Sequence, residues 1–260
     1  MTLSSDDRDA LGRAKQLLEH PGLAVRLTSV IGMPVERAMD LLPERWSDAV
    51  AIATRKSLDT ALHVALTTLE GRPRARSWDL GHKIAVVATG VGGGAFGLAG
   101  LPIELPLSTA IMLRSIADIG RSEGEELASA EARLACLQVF ALGGRTRADD
   151  AGESSYFIVR AAMARSVSEA AAYVAQRNLV EESAPALVRF LAQVASRFGA
   201  TVSQKIAAQV VPILGAAGGG AVNVLFMNHF QQMARGHFTV RRLERAYGPA
   251  FIQAEYARLP

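Results

Sequence analysis

Few side chains in this sequence stand where chemistry would need them, and the most isolated is Glu104. It is the single charge in the apolar run from Ile84 to Leu113. A lone carboxylate in such a run is costly unless it is paired, protonated or wet. Between Pro102 and Pro106 it also suits the first turn of a helix ending near Ile119, and that reading stands beside a lipid, proton or partner contact. The second apolar run, Ile206 to Phe230, contains no Asp, Glu, Lys or Arg. Its polar intrusions include Asn223, Asn228 and His229, residues suited to hydrogen bonds between helices. After it come Arg235, His237, Arg241, Arg242 and Arg245 with Phe238 and Tyr247 nearby. This block reads in two ways. Its arginines could meet phosphate or acidic groups at a membrane, or pair with Glu244 and other carboxylates in a folded-back helix. Glu104, Asn223, His229, Arg235, His237, Arg241, Arg242 and Arg245 are the candidate membrane or ligand contacts.

Catalytic and metal signatures are missing. Gly92-Gly93-Gly94-Ala95-Phe96-Gly97 matches G-x-G-x-x-G. A dinucleotide site needs a helix opening at those glycines and a βαβ unit, and Pro102 and Pro106 follow too closely. There is no G-x-S-x-G, S-x-x-K or G-x-x-x-x-G-K-[ST]. The five histidines (His20, His63, His82, His229 and His237) never pair at i,i+4 and never form H-E-x-x-H, so no zinc site is expected. Asp149, Asp150 and Glu153 sit just before a helix and read as dipole and cap contributors. The only cysteine, Cys136, lies in the apolar run Leu134–Leu142 and reads as a buried, inert thiol. No catalytic residue, metal or cofactor is assigned. A pocket joining Glu104, His229 and Arg160 would revive an enzyme.

The elements that carry these residues are helices. In 260 residues, 50% are hydrophobic and 20% charged, so the composition is that of a folded chain. A net charge of +3 with dispersed basic residues shows no nucleic-acid footprint. Alanine, leucine and arginine dominate, and no stretch alternates with period two. Helices are predicted from the Ser5 cap to about His20, over Leu23–Ile31, from Pro34 and over about Glu44–Leu69. A basic loop, Gly71–Asp79, follows. Ser122 and Glu125 could form a capping box, weakened by Gly124, for a helix ending at Gly143-Gly144. After the polar loop Arg145–Glu153, two stripes at helical spacing face a core: Tyr156, Val159, Met163, Val167, Ala170 and Val174, then Leu187, Phe190, Leu191, Val194 and Phe198. The polar, acidic start of the chain, with Asp6, Asp7 and Asp9, is not that of a cleaved signal peptide.

Both apolar runs exceed the ~20 residues that cross a bilayer. Both are broken by glycine and proline: Gly90 to Gly100 with Pro102 and Pro106, and Pro212 with Gly215 to Gly220. Transmembrane helices packed through glycines at four-residue spacing, bent hairpins in one leaflet, and helices buried in a large bundle all remain open. The flanks are basic: Arg72, Arg74, Arg76, His82 and Lys83 before the first run, and the C-terminal block after the second. Such flanks suit the cytoplasmic side and anionic head groups. The two runs also echo each other, as Lys83-Ile84-Ala85 leads to Gly92–Ala95 and Lys205-Ile206-Ala207 leads to Gly218–Ala221.

Several of these motifs resemble the EcsC family of bacterial proteins. The similar stretches are Tyr156–Ala162, Lys205–Pro212 with Gly215, Asn223, Phe226 and His229, and above all Ala234-Arg235-Gly236-His237-Phe238-Thr239-Val240-Arg241-Arg242 through Gly248. Gly100-Leu101-Pro102-Ile103-Glu104-Leu105-Pro106 is similar to that family's Pro-acidic-x-Pro element, where aspartate is frequent. The resemblance covers Arg76 to Gly248, about two thirds of the chain. It implies a helical, often membrane-associated protein of a family named after a neighbour of an ABC transporter, with no agreed activity and no catalytic residue to carry over. The expectation is therefore an all-α, single multi-helix bundle with two apolar Gly-rich helical segments: an N-terminal helical region (1–75) and an EcsC-like domain (76–260), continuous with each other. It is expected to be non-enzymatic, to meet a membrane surface or lipid at the cytoplasmic face of the cytoplasmic membrane, and to bind no nucleic acid; a membrane protein complex is a further partner. The alternative is a soluble helical adaptor or apolar-ligand carrier, linked to an ABC transporter.

Overall fold

The computed structural model describes residues 2–19, 22–40, 42, 46–69, 100–143, 155–176, 181, 183–210 and 215–259. The basic loop at 70–79, the glycine-rich stretch at 84–99, the acidic cluster at Asp149, Asp150 and Glu153, and Pro212 lie outside them. The described residues form ten helices and no strand, so the fold is all-α. The helices are α1 (Ser5–Glu19), α2 (Leu23–Ile31), α3 (Val35–Asp40), α4 (Trp46–Thr68), α5 (Leu101–Ser122), α6 (Ala130–Leu142), α7 (Ser155–Gln176), α8 (Pro185–Val210), α9 (Gly215–Tyr247) and α10 (Pro249–Arg258).

Helix α6 is the centre. Eleven of its thirteen residues are buried, Arg133 and Gln138 among them, so nearly every face of the helix meets another element. It packs on α4, α5, α7, α8 and α9. Phe140 from α6, Phe198 from α8 and Phe226 and Phe230 from α9 meet in one aromatic cluster, with ring centroids 4.9–6.1 Å apart. The two predicted stripes do face this core: Tyr156, Val159, Met163, Ala170 and Val174 on α7 are buried, as are all five of the α8 stripe.

The longest element is α9, whose 33 residues span about 50 Å. It runs against α1, α2, α5, α6 and α8 and turns back on α10. Gly236 makes the crossing with α1 possible, because a Cβ there would sit 2.6 Å from Leu18 Cγ and 3.0 Å from the Ala14 carbonyl oxygen. Gly248, at φ +88°, supplies the left-handed turn between α9 and α10, and Pro249 opens the new helix.

Two predicted caps lie elsewhere. Ser4, not Ser5, caps α1: its hydroxyl accepts from the Asp7 amide at 3.1 Å. Ser122 and Glu125 form no capping box. Ser122 closes α5, Gly124 takes φ +82°, and Ser129 caps α6 by accepting from the Ala132 amide. At the other pole of a helix, Arg121 and Arg133 donate to the carbonyls of Leu69 and Leu66 at the end of α4. Cations there offset both unpaired carbonyls and the helix dipole.

The second apolar run is not one helix. It is shared between the end of α8 and the start of α9, which pack on each other. In it Ile206, Ala207, Ala208, Val222, Phe226, Met227 and Phe230 belong to the core. Among the described residues no helix is long and apolar enough to cross a membrane.

Candidate functional site

Glu104 lies in the first turn of α5, as the proline spacing predicts. Its side chain turns inward and is paired. Lys205 of α8 donates from Nζ to Oε1 at 2.9 Å and Oε2 at 3.1 Å, and Asn223 Nδ2 of α9 donates to Oε1 at 3.0 Å. Lys205 is 0 % exposed, and its ammonium also sits 5.0 Å from the centroid of the Phe226 ring. Each ion is thus compensated by the other, by an amide and by a ring face. The sequence reading singled out Glu104 and Asn223 but not the role of Lys205. The available signal was a complementary one: a lone acid in one apolar run and a lone base at the edge of the other.

With its charge turned in, this turn of α5 presents Ile103 (76 % exposed) and Leu107 (50 %) outward. Pro102 is exposed beside them, and the first exposed charge along this face of α5 is Arg114. The neighbouring start of α9 adds Ala221, exposed, and the part-buried Val224 and Leu225. The polarity of this end is therefore inverted, acid inside and aliphatic outside. Scattered exposed apolar residues are ordinary, but here two large ones stand one turn apart on α5 with the intervening carboxylate turned inward.

The remaining sequence candidates do not join this group. His229 is buried in the core, where Nε2 donates to the Gly143 carbonyl at 2.8 Å. Burial lowers its pKa from 6.5 to about 4, against the opposing pull of that hydrogen bond. His237 is fully buried between α9 and α7, with Nδ1 2.9 Å from the Tyr156 hydroxyl. Arg160 Nη1 donates to that same hydroxyl at 3.2 Å. The arginine donates to the phenol oxygen, and the imidazole tautomer sets which partner donates in the Nδ1 bond. Nε2 has no partner among the described residues. Burial, then the charges of Arg160 and Arg241, hold His237 neutral, well below its ordinary pKa. Neither histidine, nor Asn223, reaches the surface in this arrangement: all three are buried. Arg235 is part-buried, and burial lowers its pKa.

The three arginines of the C-terminal block are occupied. Arg241 holds Glu125 with two bonds of 2.9 and 3.1 Å and lies 3.5 Å from Glu131. Arg242 reaches Glu123 at 2.9 Å and Asp7 at 3.3 Å. Arg245 pairs with Glu125 and donates to the Glu123 carbonyl at 2.7 Å. Tyr247 donates to Asp7 at 2.7 Å. Burial would raise the Glu125 carboxyl, but Arg241 and Arg245 outweigh it and hold the pKa below its ordinary value. Of the two readings of this block, the structure displays the folded-back one. The partners are Glu123, Glu125, Glu131 and Asp7 rather than Glu244, which takes a two-pronged bond of 2.8 and 2.9 Å from Arg160.

Glu104, His229 and Arg160, whose meeting would have suggested catalysis, have three separate sets of partners. A 460 Å³ cavity does border Arg160, Glu244 and Arg241 above Phe157, but every one of those charges is already paired. Cys136 is buried, and burial pushes its thiol up to about 12, far from a reactive thiolate.

Neither the search of curated proteins nor that of solved structures found a match. The EcsC protein family model matches residues 9–243, which takes in the N-terminal helices as well as the motif-bearing stretch, and the chain belongs to that family.

Proposed function

We propose that this protein is a non-enzymatic, membrane-associated helical module that meets lipid through the end of the bundle where α5 and α9 begin. The observation that carries this reading is the inverted turn of α5, with Glu104 neutralised inside and Ile103 and Leu107 outside. In sequence the glycines Gly90 to Gly100 come just before α5 and Gly215 to Gly220 open α9, and the basic residues Arg72, Arg74, Arg76 and Lys83 precede the first apolar run. Those charges suit an anionic cytoplasmic leaflet, so the reading has the protein at the inner face of the cytoplasmic membrane. The lipid contact is assigned to this apolar end rather than to Arg241, Arg242 and Arg245, whose charge is spent internally.

Flotation with anionic vesicles tests the proposal. The protein should rise with the lipid. The double variant Ile103→Asp/Leu107→Asp should bind more weakly by about tenfold per residue, from lost apolar burial, while its melting temperature is kept because both side chains are exposed. A wild-type protein that stays in the heavy fraction with and without vesicles would contradict it, as would equal flotation of the variant.

A further inference from the structure

The cavity bordered by α6, α7, α9 and α10 shares no lining residue with the α5 end, and it holds a polar group that nothing in the fold uses. Its volume of 460 Å³ is in the range of small-molecule sites. Phe157, Ala161, Ala164 and Val167 of α7 and Pro249 of α10 give it an apolar wall, and the short side chains of Ala161 and Ala164 keep the space open.

Gln138 of α6 lines the same cavity. Only 5 % of this residue is exposed, and its carboxamide makes no hydrogen bond among the described residues. Both carboxamide atoms nevertheless remain accessible, unlike the sealed amide oxygen of Gln231. A largely buried amide left idle at a cavity wall calls for a partner there. The charged groups of the lining are balanced and engaged: Arg160 holds Glu244, and Arg241 holds Glu125 and lies near Glu131. An ionic ligand would have to break these pairs, so the cavity favours an uncharged one. A primary carboxamide donates and accepts along one edge. Its closest complement is a second amide held cis, which returns one acceptor and one donor in a closed ring.

We infer that this cavity binds a small uncharged molecule with a cis-amide edge, that of a uracil-type lactam ring or of a primary carboxamide. Gln138 Nε2 donates to the ligand carbonyl, Gln138 Oε1 accepts from the ligand N–H, and the ring rests on the wall formed by Ala161, Ala164 and Val167. This site is independent of the membrane contact proposed for α5.

Uridine and nicotinamide, titrated separately into the full-length protein without vesicles, test the inference by calorimetry and distinguish the two sources of that edge. Saturable binding of one molecule per chain is expected for at least one of them. Gln138→Met keeps the side-chain volume and breaks no bond in the fold. It should leave the melting temperature unchanged and weaken that ligand by about tenfold, as for loss of a two-pronged amide contact. The methylated counterparts, N3-methyluridine and N,N-dimethylnicotinamide, lack the N–H and should be as weak on the wild type. Ala164→Trp, an exposed change that fills the cavity, should abolish binding. Ile103→Asp/Leu107→Asp should bind as the wild type does, so failure of the membrane reading leaves this result intact. Absence of saturable binding by both compounds would overturn the inference. So would undiminished binding in a folded Gln138→Met protein, or equal binding of a compound and its methylated counterpart.

Discussion

Glu104 and Lys205 are each tolerable only because the other is there. Lys205 is wholly buried, and replacing it by methionine would strand Glu104 with only the amide of Asn223. Breaking a buried pair from one side costs about 3–5 kcal/mol, whereas replacing both ions by apolar groups is often near neutral. Lys205→Met should therefore lower unfolding free energy by that amount in a denaturant titration, and Glu104→Leu/Lys205→Met should recover most of it. Equal destabilisation of single and double variants would show that the pair is not what holds this turn. The acid itself was legible from its isolation in sequence. Its partner was not, because the two are 101 residues apart and only packing brings them together.

At the scale of elements, sequence periodicity exposed what is locally encoded. The α7 and α8 stripes and the limits of α2 follow from apolar spacing that one helix must satisfy by itself. Caps and ion pairs depend on residues far apart, and there the reading strayed. Glu125 looks like half of a capping box three residues after Ser122, yet it is spent on Arg241 and Arg245 at the far end of the chain. The arginine block of α9 equally reads as a basic patch until Glu123, Glu125 and Asp7 are set against it. This clasp ties the C-terminal half of α9 to the α5–α6 turn and to α1. Replacing Arg241, Arg242 and Arg245 together by glutamine leaves a buried carboxylate without its cations. That should cost about 2–3 kcal/mol, seen as early thermal unfolding, with vesicle flotation of the folded fraction retained. Lost flotation at an unchanged melting temperature would move the lipid contact to this block.

At the scale of the whole molecule, the two buried histidines should make the fold sensitive to acid. His229 has a folded pKa of about 4 against 6.5 for an unperturbed imidazole, and His237 is likewise depressed. The unfolded chain therefore takes up protons first, so stability is complete above pH 6.5 and falls as pH drops towards 4. His229 alone accounts for about 3 kcal/mol of that loss. Glu125, also depressed, loses its arginine pairs further down the same acid limb. Denaturation midpoints should hold from pH 8 to about 6.5 and then decline, and His229→Gln should flatten the upper part of the decline. A midpoint independent of pH down to about 4 would show that the histidines are not held neutral by the fold.

If α5 faces lipid as proposed, a reporter at Leu107 will sense the bilayer. In a Cys136→Ser background, Leu107→Cys carrying an environment-sensitive fluorophore should shift its emission to the blue with anionic vesicles and be quenched by lipids brominated along the acyl chain. The same label at exposed Arg258, in the last turn of α10, should do neither. A label at position 107 whose spectrum stays unchanged by vesicles, or is no more quenched than the one at 258, would mean that α5 does not meet lipid.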